Sequence, residues 1–297
     1  MIWVGQVLPV GTVAYLIKKF YRIPYFVSTH GMDIMLPQRT LRKEKLMRKI
    51  LTAAEFITAN SQFTATELAN LSFPEEKIKI IYPCPKITPE KYPVSQSRLD
   101  LLSKDLSLSN RKVLLTVGRL VERKGHDTVL KLLPQLSKSV PEIVYLVVGD
   151  GPYQKKLVKL VSQFSLQDKV KFIGQVKDED LSYYYRLADL FVMPTRDIAG
   201  DIEGFGIVYL EAASFGLPVV AVASGGSAEA VIDGQTGLLS ETGDVSDLIA
   251  KINLLLSDKN LYQQMSEAAT RRVKDNFAYQ QQTDSLKQII INHFHAK

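Results

Sequence analysis

Two short stretches combine residue types that can hold an anion. In Val117-Gly118-Arg119-Leu120-Val121-Glu122-Arg123-Lys124-Gly125, a glycine permits a sharp turn, and two cations five residues apart, Arg119 and Lys124, can converge on one anionic group. A diphosphate has the fitting size and charge. For so short a pattern a solvated basic loop is the plain alternative. In Glu203-Gly204-Phe205-Gly206-Ile207-Val208-Tyr209-Leu210-Glu211-Ala212, glycines precede an apolar helix. The free N–H groups of its first turn, together with the helix dipole, suit phosphate oxygens. Two glutamates bracket that anion site. At ~1.5 Å rise per residue Glu211 stands roughly 7 Å beyond Gly206, comparable with the separation of a sugar and the ribose of one nucleotide, so one carboxylate can hold each. Taken alone, Glu203 would be a surface loop acid and Glu211 a helix-face charge. The glycines, the helix start and the neighbouring strand weigh against that reading.

Two further features carry chemistry. Ser28-Thr29-His30-Gly31-Met32-Asp33 follows a predicted strand and offers a loop histidine, a residue more often structural or merely exposed when it stands alone. The segment from Arg39 to Ile50 holds six basic residues and one acid, with Leu41, Leu46, Met47 and Ile50 available for an apolar side. A basic amphipathic helix suits an anionic lipid surface; a solvated face of an ordinary domain helix is the equal alternative.

Stepwise alternation of apolar runs and helical spacing supplies the elements that would position these residues. Val113–Val117, Ile143–Val148, Val170–Ile173, Leu190–Met193 and Val219–Val222 have the near-continuous apolar character of strands buried on both faces of a parallel sheet. Tyr153–Phe164, Asp180–Ala188 and Gly206–Phe215 between them are predicted helices. Right-handed crossovers then give a doubly wound α/β domain whose ligands sit beyond the carboxyl ends of the strands. The first hundred residues repeat the style more faintly, with helices near Val13–Phe20, Arg39–Leu51 and Phe63–Leu71 and strands at Tyr25–Ser28 and Phe56–Ala59. The proline-dense stretch from Tyr82 to Pro93 reads as a linker. The expected division is 1–100 for a partial first domain with its linker, 101–275 for the second, and 276–297 for a C-terminal helix able to return to the first.

Composition bounds the class. The 297 residues are 46% hydrophobic and 23% charged, as in a globular protein with length for two cores. A single cysteine, Cys84, excludes an internal disulfide and a cysteine-rich metal site, and fits a reducing, cytoplasmic setting. The N-terminus lacks the charge pattern of a signal peptide and looks like a strand entering a turn, and no apolar run is long enough to span a bilayer. A net charge of +6 leaves nucleic acid, lipid headgroups or a phosphorylated substrate as partners. Nucleic acid is disfavoured, because the basic helix lacks interleaved aromatics and no recognition motif accompanies it.

Gly-Arg-(x4)-Lys-Gly over 118–125, Val148-Gly149-Asp150-Gly151-Pro152 and the Glu-(x7)-Glu pair at Glu203 and Glu211 together resemble the donor domain of family 4 glycosyltransferases of GT-B architecture. The likeness runs from about Val113 through Leu239, and the segment from Thr195 to Glu211 is most similar to phosphatidylinositol mannosyltransferases and related lipid-directed enzymes. The resemblance implies an α/β fold of two Rossmann-like, doubly wound domains, the first partial. It also implies transfer of a hexose, mannose foremost, from a nucleoside diphosphate sugar such as GDP-mannose to a lipid or glycan hydroxyl. Anomeric configuration would be retained, by front-face attack, with no divalent metal or other cofactor.

Roles follow residue by residue from the same likeness. Arg119 and Lys124, on the turn at Gly118 and beside Gly149, would neutralise the donor diphosphate; Glu211 would take the ribose; Lys171 and Phe172 would border the base. Glu203, Gly204 and the backbone of Phe205, Gly206, Ile207 and Val208 would hold the sugar and phosphates, His30 would reach the transferred sugar, and His30 and Glu203 would be the catalytic residues. Metal ligands are none. The family pattern places further β-α units before the His-Gly strand, so the acceptor domain reads as truncated. A nucleotide-sugar-binding protein without transfer is therefore the rival function. Relatives also carry an Asn-Gly-Val-Asp-like turn where this chain has Tyr82-Pro-Cys-Pro-Lys. Residues 39–50 would add docking to an anionic surface, peripherally on the inner face of the membrane.

Overall fold

A computed structural model describes residues 1–295. The chain forms two compact units: Met1–Cys84 with Asp197–Phe205 and the chain from Tyr279, and Pro85–Arg196 with Gly206–Ala278.

The first unit is built on a parallel sheet of β1 (Ile2–Val4), β2 (Tyr25–Thr29), β3 (Ile57–Ala59) and β4 (Ile78–Ile80), in that spatial order. Helices Val10–Tyr21, Leu41–Ala53 and Gln62–Asn70 connect them. Alternation along β2 divides the two faces: Tyr25 and Val27 join a core with Met47, Ile50, Leu51, Ile57 and Leu68. Phe26 instead stacks on Phe56 at 4.6 Å. On that second face the helix Tyr279–His295 brings His293 to Phe56, and its Nε2 lies 3.0 Å from Glu55.

The second unit is a six-stranded parallel sheet of β5 (Lys112–Val117), β6 (Ile143–Val148), β7 (Val170–Gly174), β8 (Leu190–Met193), β9 (Val219–Val222) and β10 (Gly237–Ser240), in spatial order β10-β9-β8-β5-β6-β7. All residues of β6, β8 and β9 are buried, which explains their unbroken apolar character. The chain moves outward from β5 through β6 to β7, then returns to β8 and moves the other way. The switch point of this doubly wound sheet therefore lies between β5 and β8, paired at Leu114↔Leu190 and Leu115↔Phe191.

Some elements lie outside the sequence expectations, among them two strands and a helix. Strand β4 has only three half-buried residues with Lys79 at its centre, and β10 opens on Gly237, so neither presents an apolar run. Helix Gln96–Asp105 buries none of its residues fully, and its apolar side is a short stripe of half-buried Leu99 and Leu102. The basic helix begins at Leu41, after a tight turn over Leu36–Arg39. Its apolar side differs from expectation. Met47 and Ile50 are fully buried in the first unit's core, Leu46 is partly buried against it, and Leu41 is exposed.

Candidate functional site

In the second unit, the loop after β5 turns at Gly118, whose φ of +151° favours glycine. The loop is fastened to the end of β6: Gly118 N donates to Val148 O at 2.9 Å, and Leu120 N to Asp150 O at 2.9 Å. The backbones approach so closely that a Cβ on Gly149 would lie 2.0 Å from Gly118 O. Lys124 is 8% exposed and lies over the turn, its Nζ 3.9 Å from the place a Gly118 Cβ would take. Arg119 is exposed to solvent. The loop thus carries a buried lysine at the strand end and an exposed arginine next to the turning glycine.

The helix Ile207–Ser214 follows β8 within this unit, and its N-cap is Gly206 in left-handed backbone with no side chain closing the first turn. Ile207 and Val208 are half-buried there. Glu211, one turn on, is 5% exposed. Its Oε1 accepts from Lys86 N at 3.2 Å and Ile87 N at 3.3 Å, and its Oε2 accepts from the Tyr185 hydroxyl at 2.9 Å. Burial pushes the carboxyl up from its ordinary range, and those three donors hold it partly down. Lys171 is half-buried on β7, and Phe172 beside it packs against the core.

Sequence reading did not single out the polar cluster beneath the β5 loop. Arg196, just after β8, donates from its backbone to Arg123 O at 2.9 Å and from its guanidinium to Thr128 at 2.9 Å, and it pairs with buried Asp127 at 2.9 Å. His126, fully buried, has no hydrogen-bond partner on either ring nitrogen among the described residues. Burial, then the nearby Lys124 ammonium, pushes its pKa down to about 4. The adjacency of Lys124, His126 and Asp127 in sequence was the available signal. Tyr185 and Ile87, the partners of Glu211, offered none.

In the first unit, the loop after β2 carries His30, exposed, with Nε2 3.2 Å from Gly5 O. Its backbone N–H donates to Asp33 Oδ1 at 2.7 Å. Residues 203–205 pack against this loop: a Cβ on Gly204 would lie 2.4 Å from His30 O, and only glycine fits. Glu203 is half-buried, and Phe205 is buried against the Tyr82 ring at 5.8 Å. The structure thus brings His30 together with the Glu203–Phe205 segment in one unit. It brings Gly118, Arg119, Lys124, Gly149, Lys171, Phe172 and Gly206–Glu211 together in the other.

The family model described as glycosyl transferases group 1 matches residues 100–272. The chain belongs to the group 1 glycosyltransferases. A second model, glycosyltransferase family 4, matches residues 4–84 of this glycosyltransferase. It is 30% identical over 295 residues to a GDP-mannose-dependent alpha-(1-6)-phosphatidylinositol monomannoside mannosyltransferase of Mycolicibacterium smegmatis, covering 97% of this chain and 75% of the relative. A GDP-mannose-dependent monoacylated alpha-(1-6)-phosphatidylinositol monomannoside mannosyltransferase of Corynebacterium glutamicum is 31% identical, with the same coverage. Among solved structures, Anabaena HepE in complex with UDP-glucose superposes with a TM-score of 0.81 at 25% identity, over 94% of this chain and 76% of that one. Sucrose-phosphate synthase from Thermosynechococcus elongatus gives 0.80 at 24%, over 99% and 74%. The fold is GT-B.

Proposed function

We propose that this glycosyltransferase moves mannose from GDP-mannose to a hydroxyl of a glycolipid or glycan, with retention of configuration and without a divalent metal. The observation that carries the reading is topological. Two anion-binding motifs far apart in sequence, the Gly118–Gly125 loop and the Gly206 helix entry, follow β5 and β8, the two strands that flank the switch point. The base and sugar are read from the GDP-mannose-dependent relatives.

Each residue then has a task. Arg119 and Lys124 meet the charge that develops on the departing diphosphate, where fixed cations in a water-poor site stabilise most. The uncapped N–H groups of Ile207 and Val208 take phosphate oxygens. Glu211 has lone pairs beyond its three donors and accepts from the ribose hydroxyls. Lys171 and Phe172 border the base. His30 and Glu203 have the sugar-side roles. The unit of Pro85–Arg196 and Gly206–Ala278 serves the donor, and the unit of Met1–Cys84, with Asp197–Phe205 and the helix from Tyr279, serves the acceptor side. The exposed Arg42, Lys43, Lys45 and Lys49 hold the enzyme peripherally on the cytoplasmic membrane face, through charge alone because the apolar side of their helix is spent on the core. Among the described residues no helix is long and apolar enough to cross a membrane.

The test is transfer itself. Radiolabelled GDP-mannose with vesicles containing phosphatidylinositol monomannoside should label the lipid, whereas UDP-glucose should not. Transfer from UDP-glucose with none from GDP-mannose would overturn the donor assignment.

A further inference from the structure

The loop from Gly118 to Gly125 is held on two sides, and the two holds differ in kind. Toward β6 the fastening is backbone on backbone: Gly118 N to Val148 O, Leu120 N to Asp150 O, and Tyr153 N to Leu120 O at 3.0 Å. Toward β8 it depends on one residue. The Arg196 guanidinium, just past β8, lies 2.9 Å from Asp127 Oδ1 and 3.5 Å from Glu122 Oε1, and donates to Thr128 Oγ1 at 2.9 Å. Its backbone N–H donates to Arg123 O at 2.9 Å. Glu122 and Arg123 precede Lys124 in the chain, and Asp127 and Thr128 follow it.

The backbone between these partners has little slack. Gly125 passes so close to the end of β8 that a Cβ there would lie 2.0 Å from Pro194 O. A planar guanidinium can reach several acceptors at once, which the point charge of an ammonium cannot. Charge matching alone does not call for this arrangement, because the buried Asp127 carboxylate also has Lys131 at 3.2 Å. Partners on both sides of Lys124 fix the stretch of loop that carries it, so displacing Lys124 from its place over Gly118 requires breaking the Arg196 contacts.

We propose that Arg196 is a positioning residue of the donor site, setting where Lys124 meets the diphosphate by tying the β5 loop to the end of β8. This rests on the diphosphate reading of Lys124. Arg196 acts through Lys124, so its removal weakens donor binding only while Lys124 is present.

The test is a double-mutant cycle, read by calorimetric titration of the whole chain with GDP-mannose. Arg196→Met should bind about tenfold more weakly than the parent, and adding it to Lys124→Ala should cost nothing further, since the residue it positions is already gone. Arg196→Lys, with a point charge in place of the fork, should fall between the parent and Arg196→Met. Asp127→Leu combined with Arg196→Met removes both charges and strands neither, so this pair should melt as the parent does yet bind as weakly as Arg196→Met. Hydrogen exchange reads the tie without any donor: the amides of Lys124 and Gly125, which donate to Val121 O and Glu122 O, should exchange faster in Arg196→Met. Parental affinity in the paired variant, a full additional loss in the Lys124→Ala background, or unchanged loop exchange overturns the proposal. If the parent binds no GDP-mannose, the donor assignment fails, and the exchange measurement still decides whether Arg196 ties the loop.

Discussion

The Tyr185 hydroxyl donates to Glu211 Oε2 at 2.9 Å, while the opposite oxygen of the same carboxylate receives the backbone N–H groups of Lys86 and Ile87. The residue assigned to the ribose is therefore also a structural clamp. Glu211→Ala strands three donors, of which the Tyr185 hydroxyl and Ile87 N are buried, and should cost about 2–4 kcal/mol of stability. Glu211→Gln keeps the two backbone bonds on its oxygen, can reverse the third by donating its amide N–H to the Tyr185 oxygen, and avoids burying a charge. The raised carboxyl fixes the sign of the pH effect: the stability it contributes is present when the group is protonated and is lost as pH rises through its folded pKa. The Gln variant should thus gain on the parent as pH increases from acid to neutral, while binding GDP-mannose more weakly. Denaturant titrations across pH check the first expectation; a Gln advantage that shrinks with rising pH contradicts it.

His126 gives the opposite sign. Its pKa is held near 4 against an ordinary 6.5, so its contribution is intact above about pH 6.5 and lost as pH falls toward 4. The loss amounts to about 3 kcal/mol at 1.36 kcal/mol per unit. His126→Leu should flatten the acid limb of the stability profile. An acid limb as steep as the parent's would show that the imidazole does not need to remain neutral.

Gly204→Ala would bring a methyl 2.4 Å from His30 O, a backbone atom with little freedom to move. The substitution should destabilise the first unit by about 2 kcal/mol and slow transfer. A parental melting curve together with a parental rate would remove the steric account of that glycine.

Reversal of Arg42, Lys45 and Lys49 to Glu should abolish binding to anionic liposomes at moderate salt without unfolding, because all three side chains are exposed. Met47 and Ile50 are fully buried, so the parent should also be released by high salt. Undiminished co-sedimentation of the triple variant, or salt-resistant binding of the parent, would contradict a purely electrostatic attachment.

The second unit was legible because its strands are buried on both faces: Ile143–Val148, Leu190–Met193 and Val219–Val222 have the same bounds in the sequence pattern and in the structure. β4 was not, since three residues centred on a lysine resemble any short loop. Residues whose importance is local in sequence, such as Lys124 over Gly118, could be inferred from turn chemistry. Tyr185, Ile87 and Arg196 acquire meaning only from what folding brings beside them. Arg196 follows β8, far along the chain from the β5 loop, and nothing in its own neighbourhood announces the Glu122, Asp127 and Thr128 side chains that it holds. Leu41 and Met47 show the converse: helical periodicity placed both on one apolar side, and only packing reveals that Met47 serves the core while Leu41 faces solvent.

The central claim is that Arg119 and Lys124 hold the diphosphate of GDP-mannose at the β5 end of the switch point. Calorimetric titration of the parent, Arg119→Ala and Lys124→Ala with GDP-mannose tests it most directly. Each lost charge-assisted contact is worth about 1.5–3 kcal/mol, so each variant should bind roughly ten- to a hundredfold more weakly than the parent. Parental affinity in both variants, or no binding by the parent, would contradict the account.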